Sequence, residues 1–102
     1  MAHQLKLYED KALTKPVKKF AFPRTDLGDD AYIDFYITNS SEKWPIINIE
    51  PERVEKHTSI IDLPQTLKPG ETVYCRYKWT PPIDMDEPLI TVLVIMGDLQ
   101  IG

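Results

Sequence analysis

The sequence has a single cysteine, Cys75, so no disulfide can form within one chain. Its place in an apolar-faced strand pattern indicates an ordinary buried thiol. The longest apolar-rich run, residues 89–96, is too short to span a bilayer. Residues 1–6 contain no apolar run after a basic start, so no secretory signal is visible. We therefore expect a protein made in a reducing cytoplasm, without membrane contact.

Residues for catalysis and metal binding are also scarce. The only histidines are His3, near the terminus, and His57, in a charged loop, and no base lies near Cys75 in sequence. Catalysis needs a nucleophile or an acid–base pair beside an orienting group, so we expect neither an enzyme nor a cofactor. The acidic run 84–87 could offer oxygen ligands to Ca²⁺, but it lacks the spaced Asp-x-Asp-x-Asp-Gly pattern. A solvated acidic end of the molecule is the expected result.

The net charge of −4 is the sum of a basic N-terminal part and an acidic remainder of the chain. Residues 1–24 carry six basic and two acidic residues, a net of +4, and the rest carry six basic and fourteen acidic, a net of −8. An acidic body repels phosphate, so we expect no nucleic-acid partner. The basic part predicts that residues 1–24 act as an arm that docks on an acidic body, that of a neighbour, with the arm domain itself ending at residue 16. The predicted contacts are its lysines: Lys6, Lys11, Lys15, Lys18 and Lys19. The alternative is that Leu5 and Leu7 form an edge strand of the same domain.

Two segments show clear strand periodicity. After the turn residues Pro69 and Gly70, residues 72–79 alternate, and their apolar side is Val73, Cys75, Tyr77 and Trp79. Residues 31–38 alternate in the same way, and their apolar side is Ala31, Ile33, Phe35 and Ile37. Each pattern predicts a strand with one buried and one wet face.

Weaker patterns complete the prediction. We expect strands at residues 17–22, 45–50 (with Ile47 and Ile49 inward), 59–63 and 89–96, and a single helical turn at 51–57. Gly97-Asp98 predicts a hairpin, with a short return strand after it. Six or seven strands without an amphipathic helix favour a two-sheet β-sandwich over residues 17–102. Alternate connections then meet at one end, which gathers the acidic loops 23–30, 51–58 and 80–88.

Several apolar side chains are predicted to face solvent or partners. Tyr32 and Tyr36 lie on the outward side of their strand, as does Tyr74 on its own, and Trp44 lies in a loop. Exposed aromatics can stack on sugars, anchor protein contacts or pair across strands. Residues 89–96 are apolar on both faces, which predicts an open assembly edge, with Leu99 and Ile101 as further contacts.

The order of turns and strands resembles a known group of folds. The landmarks are Ile37-Thr38-Asn39-Ser40-Ser41, Leu67-Lys68-Pro69-Gly70-Glu71, Trp79-Thr80-Pro81 and a last apolar strand ending at Gly97. They resemble immunoglobulin-like sandwiches of the ASH, Hydin and major sperm protein kind, and also small immunoglobulin-like proteins of bacteriophage particles. The resemblance covers residues 17–101, and the immunoglobulin cysteine pair is missing.

This resemblance implies a non-enzymatic module that decorates or links larger assemblies. We expect a virion protein, in the capsid decoration or the tail, made in the host cytoplasm, whose partners are proteins that include copies of itself. The alternative is a cytoplasmic adaptor or ligand-binding module that depends on calcium or carbohydrate.

Overall fold

The computed structural model describes residues 2–84 and 86–102, and within these ranges all regular structure is β-strand. The strands are β1 (Ala2–Gln4), β2 (Leu7–Tyr8), β3 (Pro16–Val17), β4 (Lys19–Phe22), β5 (Ala31–Thr38), β6 (Ile46–Arg53), β7 (Thr58–Ile61), β8 (Thr72–Trp79), β9 (Leu89–Val92) and β10 (Val94–Leu99). The predicted all-β fold is confirmed.

Two layers of antiparallel strands enclose the core. One layer is a five-stranded sheet in the order β3-β2-β5-β8-β7. The other combines the sheet β1-β10-β6 with the pair β4-β9, because β9 continues into β10 after a break at Leu93. Every strand pair in both layers is antiparallel.

The two clear alternating segments form the middle of the five-stranded sheet. Strands β5 and β8 pair over their full length, from Ala31 opposite Trp79 to Thr38 opposite Thr72. Phe20 and Phe22 of β4 cover them from the other layer. The Phe20 ring lies 5.4 Å from that of Tyr77, and the Phe22 ring lies 5.2 Å from the same tyrosine, both edge to face. Such aromatic pairs add to area burial, so this cluster is the centre of the core.

The first residues of the chain pack into the sandwich. Strand β1 pairs with β10 and β2 pairs with β5, so the chain passes from one layer to the other between them. The amide of Leu5 donates to the carbonyl of Ile95 at 2.9 Å. Leu5 is 7% exposed and Leu7 is 4% exposed, and both belong to the core. The packing therefore favours the alternative in which Leu5 and Leu7 are part of the same sandwich.

The expectations for residues 45–57 need correction. Asn48 has a φ of 55°, which interrupts the alternation of β6. Ile46 and Ile49 are therefore the buried residues, three positions apart, and the predicted inward side chain of Ile47 is only half-buried. The predicted helical turn is also wrong, because β6 continues through Arg53. Pro51 is tolerated there because β6 is an edge strand.

The C-terminal expectations are wrong in part. Residues 89–96 fall into two strands. Strand β10 lies between β1 and β6 and is not an open edge, whereas β9 pairs with β4 alone in the described part of the chain and keeps its other edge open. Gly97 and Asp98 lie inside β10 and form no hairpin. A Cβ atom on Gly97 would lie 2.5 Å from Cγ2 of Ile46, so glycine is required by this close approach between strands.

Candidate interaction surfaces

Three tyrosines form a row across the outer side of the five-stranded sheet. Tyr8 of β2 lies opposite Tyr36 of β5, which lies opposite Tyr74 of β8. The rings of Tyr36 and Tyr74 have centroids 5.5 Å apart. The row forms because each tyrosine takes the outward position of an alternating strand. We call the group Tyr8, Tyr32, Tyr36, Tyr74 and Arg76 the tyrosine face.

Contacts within the tyrosine face hold its side chains in place. The guanidinium carbon of Arg76 lies 4.0 Å from the Tyr32 ring centroid, and Arg76 Nε lies 3.7 Å from Asp34 Oδ1. The Tyr74 hydroxyl donates to the same Asp34 oxygen at 2.6 Å, and this hydrogen bond raises the pKa of Tyr74. Tyr32 and Tyr74 nevertheless remain 41% and 43% exposed. The face is thus ordered before any partner arrives, which lowers the entropy cost of binding.

A groove of about 360 Å³ is lined in part by Tyr8. It lies beside the segment where the chain passes between the layers. Its walls combine lysines with apolar side chains, and we call it the lysine groove. The lining residues include Lys6, Tyr8, Pro16, Val17, Lys18 and Leu93.

The N-terminal lysines lack acidic partners within the described part of the chain. The ion pairs found there join Arg76 to Asp34 and Lys78 to Asp30. Asp10, one of the two acidic residues in residues 1–24, is already engaged. Its carboxylate accepts hydrogen bonds from the Thr14 hydroxyl and from the amides of Thr14 and Lys15. The Thr14 bond is the main cause that lowers the Asp10 pKa. This flank of the molecule therefore presents positive charge.

The predicted meeting of the three acidic loops is confirmed. The Leu27 amide donates to Asp84 Oδ1 at 2.7 Å, which joins loops 23–30 and 80–88. The Thr80 amide donates to the His57 carbonyl at 2.9 Å, which joins loop 80–88 to loop 51–58. The Thr80 hydroxyl donates to Asp30 at 2.7 Å and lowers the pKa of that carboxyl. Together the three loops carry eight acidic and three basic residues, a net of −5.

Each acidic loop also exposes one large apolar side chain. Leu27 is 58% exposed, Val54 is 45% exposed and Ile83 is 63% exposed. The hydrogen bond between Leu27 and Asp84 places Leu27 close to Ile83. We call loops 23–30, 51–58 and 80–88 the acidic loop end. The acidic loop end therefore combines exposed apolar side chains with a net negative charge.

The described residues hold no group of three or more acidic, histidine or cysteine side chains arranged to bind a metal ion. Of the run 84–87, Asp84 is engaged by the Leu27 amide, and Met85 lies outside the described residues. Cys75 is fully buried, and its thiol donates to the Asp62 carbonyl at 3.6 Å. Burial raises the pKa of Cys75 to about 12, so the thiol stays protonated at neutral pH.

The remaining predicted contacts lie at the end opposite the acidic loops. Trp44 is half-buried, with Lys43 Nζ 4.9 Å from its ring centroid. Leu99 ends β10 opposite Ile46 and is half-buried, and Ile101 is 68% exposed. The structure therefore brings Tyr32 and Tyr36 together on one face but places Trp44, Leu99 and Ile101 elsewhere.

Sequence reasoning missed Tyr8, Arg76, Leu27, Val54 and Ile83 as surface candidates. The alternation of Leu5 and Leu7 with Lys6 and Tyr8 did carry a signal for Tyr8. The three exposed loop residues carried none, since a single apolar residue in a loop does not reveal its exposure.

The chain matches no family model, no curated protein and no solved structure. Within the described residues there is also no helix of the length and hydrophobicity needed to cross a membrane.

Proposed function

We propose that this chain is a non-enzymatic structural subunit that contacts other proteins in a larger assembly. The observation that carries this proposal is the tyrosine face. Tyrosine and arginine are enriched at protein interfaces and dominate their binding energy. Here they occupy one side of a sheet, fixed by the Arg76–Tyr32 and Tyr74–Asp34 contacts. Rigid aromatic side chains offer contact area at a low entropy cost.

The assembly we propose is a bacteriophage particle, with the chain as a capsid-decoration or tail protein. Support comes from the resemblance of the turn landmarks to immunoglobulin-like modules of such particles. The landmarks border the central strands: Asn39 follows β5, Gly70 precedes β8, and Pro81 follows β8. We assign the sandwich to the immunoglobulin-like class on the same basis.

The test is incorporation into particles isolated from the cells that produce the chain. Wild-type protein should sediment with the particles at a fixed stoichiometry, and electron microscopy with a specific antibody should show regularly spaced label. The double variant Tyr36→Ser/Tyr74→Ser should fold but fail to be incorporated. Its control is Glu50→Ser/Gln65→Ser, which changes two exposed residues outside the tyrosine face.

The opposite result would favour the alternative module. If the chain stays outside the particle fraction, and calcium or a carbohydrate panel raises its melting temperature, then it is a soluble ligand-binding protein. Incorporation of the double tyrosine variant at the wild-type level would remove the tyrosine face from the proposal.

A further inference from the structure

We propose that the lysine groove binds the acidic loop end of a second copy of this chain. Copies would then join head to tail. This inference rests on the proposed function and names one partner within the assembly.

Charge complementarity is the first argument. The acidic loop end has a net charge of −5, and the lysine groove presents Lys6 and Lys18 with no carboxylate in ion-pair range in the described part of the chain. The two surfaces carry opposite charge, yet no ion pair joins them within one described molecule. A second copy can provide the missing partner, because its acidic loop end carries the charge opposite to that of the lysine groove. Complementary potentials also speed encounter and fix register.

Apolar complementarity is the second argument. Leu27 and Ile83 project from the acidic loop end at 58% and 63% exposure. The lysine groove offers apolar surface from exposed Pro16 and half-buried Val17, and Tyr8 also lines it. If Leu27 and Ile83 of one copy entered the groove of another, the carboxylates of the same acidic loops would lie near Lys6 and Lys18. An apolar centre with a polar rim is the usual anatomy of a protein interface.

The charge pattern also selects the symmetry of the contact. A two-fold dimer through the tyrosine face would bring the lysines of both copies to one interface, where like charges repel. A contact between the lysine groove and the acidic loop end joins unlike surfaces instead. Each copy then keeps one surface of each kind free, so the contact propagates into a ring or an open chain.

Two double variants test this inference with the purified chain alone. Lys6→Glu/Lys18→Glu disables the lysine groove, and Leu27→Ser/Ile83→Ser disables the acidic loop end; all four side chains are exposed. Sedimentation velocity over a concentration series should show self-association of the wild type that weakens with added salt. Each double variant should weaken it roughly tenfold or more, the effect of losing about two exposed charge pairs or two partly buried apolar side chains.

The mixture of the two variants is the decisive measurement. One variant retains the acidic loop end and the other retains the lysine groove, so an equimolar mixture should form a 1:1 dimer that does not grow further. The matched control is Lys43→Glu/Lys68→Glu, which makes the same charge change on two exposed lysines that do not line the lysine groove. It should associate as the wild type does, and circular dichroism should show the same fold for all variants.

Three results would overturn the inference: a wild type that stays monomeric at every concentration, variants that associate as the wild type does, or a mixture that forms no dimer. These results leave the proposed function intact if the chain still enters particles through the tyrosine face. Self-association without incorporation into particles would instead contradict the proposed function alone.

Discussion

Replacing Leu7 by alanine tests whether the N-terminal strands belong to the core. Leu7 is 4% exposed and lies between Val17 and Ile37 in the five-stranded sheet. The substitution removes three carbons, worth about 0.8 kcal/mol each in transfer free energy. A cavity adds to this, although the adjoining lysine groove lets the site relax in part. We expect a loss of about 2–4 kcal/mol in the free energy of unfolding, within the range for leucine-to-alanine changes in cores.

Denaturant melts followed by tryptophan fluorescence measure this loss. The control is Lys6→Ala, one residue earlier in the chain but exposed, for which we expect a change within about 0.5 kcal/mol. Deletion of residues 1–15 should destabilise the domain further, because it removes Leu5 as well as Leu7. A loss below about 1 kcal/mol for Leu7→Ala would refute the reasoning. It would mean that the first strands form a detachable arm, as the docking hypothesis for residues 1–24 requires.

Three further predictions concern the core, a close approach and a pH effect. Trp79→Ala should lower the free energy of unfolding by about 3–5 kcal/mol in the same melts, because the side chain is 3% exposed and its ring lies 5.8 Å from that of Phe22. A loss under about 1 kcal/mol would place Trp79 outside the core. Gly97→Ala should lower the free energy of unfolding by about 1–3 kcal/mol, because the added methyl group overlaps Ile46. The double variant Gly97→Ala/Ile46→Ala should lose less than the two single variants added together, because it removes the overlapping side chain. The Asp10 pKa is lowered in the folded chain, so the stability that this carboxylate contributes is present above its ordinary value of 3.8 and is lost as pH falls through the lowered pKa. NMR titration should show the Thr14 amide shift changing below pH 3.8, and Asp10→Asn should abolish that transition; an unchanged transition in Asp10→Asn would exclude Asp10 as its cause.

Most of the sandwich could be predicted because its central strands are regular. In β5 and β8 every second side chain is apolar over eight residues, and a strand buried on one face produces this pattern directly. The gathering of the acidic loops also followed from strand order alone, since alternate connections in an antiparallel arrangement reach the same end. The hydrogen bond from Leu27 to Asp84 confirms it.

The errors arose where a local backbone change altered which side chains face inward. A positive φ at Asn48 moved the buried face of β6 from Ile47 to Ile46. Gly97 was interpreted as a turn residue, although glycine is needed there so that β10 can approach Ile46. Neither effect has a signature in a single sequence, because glycine and asparagine serve turns and irregular strands equally well.

What the amino-acid sequence determined by itself is the local pattern: which segments are strands, which side chains alternate, and how charge divides along the chain. The tertiary structure determined which strands lie next to each other. It placed β1 and β2 in different layers, set β10 between β1 and β6, and aligned Tyr8, Tyr36 and Tyr74 across three strands. Strand periodicity depends on residues two positions apart, whereas strand pairing joins residues as far as 96 positions apart, as between Ala2 and Asp98. The interaction surfaces are products of that pairing, which is why they emerged only in the folded chain.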